Sequence, residues 1–302
     1  MPRINVGDFA DDRFDQPHGR SRADTRRRRR ASDWDVTVDD PDVPATATRS
    51  TYQESRGSQG PRPAPAWLVT SSAALDHQRG TIKTGKEADV DLIERVDPQT
   101  GAACLLAAKR YRSSRHRLFH RDAGYLEGRR VRRSRENRAM ATRSSFGRQV
   151  IAGQWARAEF ETLGTLWSAG VAVPYPVQIG ETDLLMEFIG HPDGTAAPRL
   201  AELRPDLITL DDLWVQCRTA LESLAASGFA HGDLSAYNVL VHDGRLVLID
   251  LPQVVDIVGN PQGASYLRRD CDNICRWFTS NGHPDADAAE LSATLASEAG
   301  IS

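Results

Sequence analysis

The sequence predicts an α+β fold in two lobes, a small one built on an antiparallel sheet and a reduced, mainly helical one. Three observations carry this. Alternation across Val90, Leu92 and Ile93, a Pro-Gln-Thr-Gly turn and the apolar run Ala102–Ala108 indicate antiparallel strands. Helical spacing of large apolar residues follows in Gly153–Ala169 and again in Asp211–Ser227. Between the second of these helices and the C-terminus, a polar loop runs into a β-hairpin over His231–Asp250, HGDLSAYNVLVHDGRLVLID.

The chain has 302 residues and a net charge of −3, unevenly spread. Residues 1–64 are poor in aliphatic side chains; the first sixty hold eleven acidic and eleven basic residues, including the run Arg26–Arg30. Such a polyampholyte buries too little apolar surface to offset its ordering entropy, so a disordered tail is expected. Pro61, Pro63 and Pro65 mark its end, and Trp67, Leu68, Val69 and Leu75 suggest a short capping helix. The four cysteines form no C-x2-C pair, and Cys271 and Cys275, one helical turn apart, read as packing residues. With no signal-peptide core and no run of 18 apolar residues, a cytoplasmic protein without membrane contact is expected.

Residues 65–190 should form the sheet lobe. Strands flank a Pro98-Gln99-Thr100-Gly101 turn, and Thr84-Gly85-Lys86-Glu87-Ala88 joins the first two. Lys109 ends the apolar strand that begins at Ala102. In the helix 153–169, Glu159 stands four residues from both Trp155 and Leu163, on the apolar stripe. A carboxylate turned inward costs several kcal/mol unless it is paired, and Lys109 is the cation to pair it. Glu161 falls off the stripe and should be solvated.

An insertion over about residues 112–150 separates these two. From Lys109 to Arg148 there are fourteen Lys or Arg against three Asp or Glu, a local charge of +11, densest at Arg129–Arg138. That charge attracts phosphate backbones, which makes ribosomal RNA or a ribosomal particle a candidate partner, set against a plain solvated loop. Strands at Val177–Ile179 and Leu184–Ile189 should then lead through Met186–Gly190 into the second lobe, residues 191–302.

In the hairpin, Asp243-Gly244 supplies the two positive-φ residues of a type I′ turn. That register sets Asn238 opposite Ile249 and so brings Asn238 and Asp250 to one end, within reach of Asp233. Two carboxylates and an amide there make an oxygen-rich site of the kind Mg²⁺ accepts.

Together these residues resemble the RIO family of atypical serine/threonine protein kinases, particularly its first subfamily. The likeness covers about residues 65–280. It rests on TGKEADV (Thr84–Val90), AAKRY (Ala107–Tyr111), Trp155–Glu159, AGVAVPYP (Ala169–Pro176), LMEFIG (Leu185–Gly190), HGDLSAYNVLV (His231–Val241), IDLPQVV (Ile249–Val255) and LRRDCDN (Leu267–Asn273). The resemblance implies a bilobal protein-kinase-like fold and use of ATP with Mg²⁺, or Mn²⁺ in its place. It implies that Lys109 orients the α and β phosphates, that Glu159 holds Lys109, and that Lys86 belongs to the nucleotide-binding set. Glu187 and Ile189 would offer backbone groups to adenine. Asp233 would be the catalytic aspartate, and Asn238 and Asp250 the metal ligands. Ser235 replaces the lysine many kinases carry two residues after the catalytic Asp, and LPQ (Leu251–Gln253) follows the metal Asp; both are usual in the RIO family. Only 52 residues follow Asp250, too few for an activation loop and a peptide-docking subdomain. The expected function is therefore a Mg-ATP-dependent serine/threonine kinase with ATPase activity. The alternatives are an ATP-switched ribosome or RNA assembly factor and, disfavoured by LRRDCDN, a small-molecule phosphotransferase.

Overall fold

In the computed structural model of the protein, the described residues are 44, 46–112 and 145–301. The Arg26–Arg30 run, the tail through residue 43 and the Arg129–Arg138 cluster lie outside them.

Six antiparallel strands form one sheet: β1 (Ala47–Arg49), β2 (Leu75–Thr84), β3 (Ala88–Val96), β4 (Ala103–Tyr111), β5 (Pro176–Ile179) and β6 (Asp183–Glu187), in the order β1-β2-β3-β4-β6-β5. The Pro-Gln-Thr-Gly turn closes β3 onto β4, with Gly101 at φ 73° and its N–H on the Asp97 carbonyl. Strand β4 is apolar on both faces because both are covered. Leu106 and Ala108 pack with Tyr52, Leu68 and Tyr175, while alternation turns Ala107, Lys109 and Tyr111 the other way. There Tyr111 meets Ala152 and Ala156 of helix α1 (Ser145–Ser168).

Two expectations fail at the lobe's N-terminal edge. Residues assigned to the disordered tail instead form β1, which pairs with the start of β2, and Tyr52 is buried at 3% exposure. Trp67–Val69 lie in a turn rather than a capping helix, and Leu75 opens β2. The polar tail composition hid a strand ordered by backbone pairing with β2. Helix α1 also starts at Ser145, inside the stretch assigned to the insertion, because basic charge does not oppose helix.

The second lobe packs α2 (Leu207–Ala226), α3 (Gly263–Ser280) and α4 (Ala288–Glu298) around one core that includes Leu213, Trp214, Leu221, Leu267, Ile274 and Phe278. Helix α2 begins before the expected Asp211: the Asp206 carboxylate caps it by accepting the Thr209 N–H at 2.8 Å. Leu207 and Ile208 are exposed, which kept this first turn off the apolar stripe. It ends at Ala226 with Ser227 as its C-cap, and Gly228 (φ 84°) turns the chain into β7 (Phe229–Ala230). Strands β8 (Val239–His242) and β9 (Arg245–Leu248) form the expected hairpin, with Asp243 at φ 48° and Gly244 at φ 74°. Strand β10 (Val255–Asp256) pairs with β7 and so folds the segment after Asp250 back over the start of the polar loop.

Candidate functional site

The β4 register places Lys109 between Val90 of β3 and Leu184 of β6. Its Nζ donates to Glu159 Oε1 at 2.7 Å and to Asp250 Oδ1 at 2.7 Å, so one ammonium joins the sheet, helix α1 and the loop after the hairpin. Glu159 is 1% exposed. Besides Lys109 it accepts the Tyr111 hydroxyl and the Leu251 N–H, the latter at 3.2 Å. The inward carboxylate thus has three donors, two from β4 and one from the loop after the hairpin. Burial by itself would lower Lys109; Glu159 and then Asp250 outweigh it and hold the ammonium charged well above its usual range. Glu161 is solvated as expected, beside Arg157 at 3.6 Å.

Hairpin register delivers the rest. The Ile249 N–H donates to the Asn238 carbonyl at 2.9 Å, so Asn238 and Asp250 share one end. Asn238 Nδ2 donates to the Asp233 carbonyl at 2.9 Å, which commits the amide nitrogen and leaves Oδ1 as the acceptor atom of that amide. Asp250 has φ 65°, a conformation an Asp tolerates better than most residues, and its side chain stays 45% exposed. Carboxylate and amide oxygen are hard donors that fit Mg²⁺.

The Lys109 ammonium, helped by His231 and Lys83 and opposed by burial, holds the Asp250 carboxyl below the usual aspartate range. A carboxyl depressed in the fold keeps its ion pair above its unfolded pKa and loses it only as pH falls through the lower, folded value. NMR titration of the Asp250 carboxyl should therefore give a midpoint below about 3.9. A midpoint above that would mean that Lys109 does not hold it.

Sequence reasoning missed what fixes the loop that carries Asp233. His231, 1% exposed, places Nε2 3.0 Å from the Ile249 carbonyl. Asp270, on the buried face of α3, accepts the Gly232 N–H at 2.7 Å and the Leu234 N–H at 3.0 Å, the two amides that flank Asp233. Arg269 donates to the Gly232 carbonyl, and Asn273 Nδ2 to the Leu234 carbonyl at 3.1 Å. Gly232 has φ 79°, and a Cβ there would lie 2.3 Å from the Gln253 carbonyl oxygen, so only glycine lets this loop pass under the one that follows Asp250. Asp270 was findable: it shares a stripe with Leu267, Cys271 and Ile274, the same signal that singled out Glu159.

Three further expected residues, Lys86, Glu187 and Ile189, lie in the sheet lobe and the connection that leaves it. Lys86 is exposed at the β2–β3 bend. Lys83 lies in register with Val90, which pairs with Lys109, so Lys83 shares the Lys109 face of the sheet. Burial, then the charge of Arg199, lower Lys83, while Asp250 raises it. A bulge between Thr81 and Lys83 hid that face from the sequence pattern. The Glu187 carboxylate is spent within the sheet lobe, where Oε2 accepts the Tyr175 N–H at 3.0 Å; the Ile189 carbonyl accepts the Ala197 N–H at 3.0 Å. Among the described residues no helix is long and apolar enough to cross a membrane.

The profile of the RIO domain matches residues 105–291. The RIO-type serine/threonine-protein kinase Rio1 of Haloferax volcanii is 35% identical over 229 residues, 76% of this chain and 72% of that one. Serine/threonine-protein kinase RIO1 of Chaetomium thermophilum is 31% identical over 67% of this chain, which spans 39% of that relative. In three dimensions the fold resembles the Rio2 kinase of Chaetomium thermophilum, solved as an ADP/Mg²⁺-phosphoaspartate complex. The TM-score is 0.51 at 20% identity, over 72% of this chain and 62% of that one.

Proposed function

Since this chain belongs to the RIO domain family of serine/threonine kinases, we propose that it transfers the γ-phosphate of ATP to a serine or threonine hydroxyl. The observation that carries this reading is the double ion pair of Lys109 with Glu159 and Asp250, set against the Asp233–Asn238 loop. Lys109, held by Glu159, binds the α and β phosphates, a positioning role that lysine fills in protein kinases. Glu187 and Ile189 present backbone groups to adenine, and the β2–β3 turn with Lys86 covers the phosphates. Asp233 accepts the proton of the attacking hydroxyl. Asn238 and Asp250 would hold Mg²⁺, which neutralises phosphate charge when bound.

A second reading, an ATP-driven switch, draws support from the exposure of the Asp250 carboxylate and from the phosphoaspartate of the Rio2 complex. In it an Asp250 oxygen attacks the γ-phosphorus, the bond to the β–γ bridging oxygen breaks, and ADP departs. Water then attacks the acyl phosphate, Asp233 takes its proton, and phosphate leaves the restored carboxylate. Incubation with γ-labelled ATP separates the two. The kinase reading expects hydroxylamine-resistant phosphoserine or phosphothreonine, on the chain or on a partner. A hydroxylamine-labile label that Asp250→Asn removes would replace it with the switch.

Binding to ribosomal RNA or a ribosomal particle through Arg129–Arg138 is a compatible output, supported by the +11 charge of Lys109–Arg148. RNA affinity should then fall steeply with salt, by a log–log slope of about 0.9 per phosphate contacted for a duplex. Reversing four of these arginines should flatten it. Salt-independent binding would leave the segment a solvated loop.

A further inference from the structure

Away from the nucleotide site, His191, His242 and Asp243 each bring one ligand atom within 4.8 Å of the others. They come from two separate stretches. His191 follows the Glu187–Gly190 connection between the lobes and is fixed by its N–H to the Thr195 carbonyl at 2.9 Å. His242 closes β8, and Asp243 is the first residue of the hairpin turn. The two imidazoles meet edge to face, their centroids 5.1 Å apart.

The fold itself makes little use of these groups. His242 Nδ1 is buried without a hydrogen-bond partner. Its Nε2 stands 3.4 Å from Asp243 Oδ2, long for a hydrogen bond. That spacing does suit two ligands of one ion: metal bonds of about 2.0–2.1 Å in a tetrahedron put neighbouring ligand atoms about 3.3–3.4 Å apart. His191 is exposed at the chain surface, with its ligand atom within 4.8 Å of the other two.

We propose that His191, His242 and Asp243 form a binding site for a divalent transition-metal ion of the zinc class, with water as fourth ligand. Two imidazoles and one carboxylate suit such an ion, whereas Mg²⁺ prefers a shell of oxygens. The site is therefore chemically separate from Asn238 and Asp250 and does not depend on the nucleotide reading. Its place gives it a role. An ion there clasps the connection between the lobes to the tip of the hairpin whose other end presents Asn238 and Asp250.

The test uses the untagged full chain with Co²⁺ as a spectroscopic probe, in excess Mg²⁺ to fill oxygen sites. One Co²⁺ should bind with the intense visible absorption of four-coordinate cobalt, and Zn²⁺ should displace it. His191→Ala and His242→Ala should each weaken binding about tenfold or more. Asp243→Asn, which keeps a residue tolerant of positive φ, should weaken it too. Undiminished binding by the His191→Ala/His242→Ala variant overturns the proposal. So does the weak spectrum of six-coordinate cobalt, or a thiolate charge-transfer band placing the ion on cysteine. Should His242→Ala fail to fold, His191→Ala, on an exposed side chain, decides alone.

Discussion

Lys109→Ala is expected to lose about a thousandfold in ATP turnover and about 3–5 kcal/mol in stability together. The rate loss follows from removing the cation proposed to position the phosphates. The stability loss has another source: Glu159, 1% exposed, loses its nearest counter-charge. Asp250→Asn separates the two effects. Its side chain is 45% exposed, Asn tolerates φ 65° and Lys109 keeps Glu159, so turnover should fall as far while stability falls by less than in Lys109→Ala. A Lys109→Met/Glu159→Gln variant should regain most of the stability and none of the turnover. Steady-state ATP hydrolysis and urea unfolding measure both quantities. Lys109→Ala within tenfold of wild-type turnover would remove Lys109 from the reaction.

Asp270→Ala should have the next largest effect, although Asp270 touches no expected substrate atom. Its carboxylate accepts two buried N–H groups, and each left unsatisfied costs about 1–3 kcal/mol. A loss of about 3 kcal/mol is expected. Because those amides flank Asp233, the carboxylate proposed to take the hydroxyl proton is no longer held in place. A loss of about a hundredfold in kcat should follow, with nucleotide affinity unchanged. Asp270→Asn keeps one acceptor oxygen and should fall between. Fluorescent-nucleotide titration beside initial rates distinguishes the cases: weaker nucleotide binding with wild-type kcat would mean that Asp270 supports the lobe contact and not the loop.

The site was legible wherever its geometry is local. The Asp243-Gly244 turn fixes the hairpin register, and register alone brings Asn238 to Asp250. Glu159 was legible because a charge on an apolar stripe demands a partner, and the end of an apolar strand supplied Lys109. What escaped depends on contacts distant in sequence or on breaks in regular spacing. Tyr111 reads as an aromatic at a strand end, and only α1 packing beside it shows that its hydroxyl serves Glu159. The β2 bulges shift the faces of that strand, so Lys83 rather than Lys86 shares the Lys109 face. Backbone amides leave no trace in composition, so nothing in Gly232 and Leu234 announces that they need Asp270. Strand β1 escaped because backbone pairing with β2 orders it while its sequence stays polar.

Helix α1 imposes an angular condition on the chain. Its 24 residues rise about 36 Å as one rod, anchored by Leu163 and Leu166 in the core and by Glu159 under the sheet. Successive residues turn about 100°, so one residue inserted between Glu159 and Leu163 would swing the carboxylate away from Lys109. Four inserted residues would return it to within about 40°. Length changes here are thus filtered by phase: a near-whole turn restores the face of the helix, although it also moves the carboxylate about 6 Å along the axis.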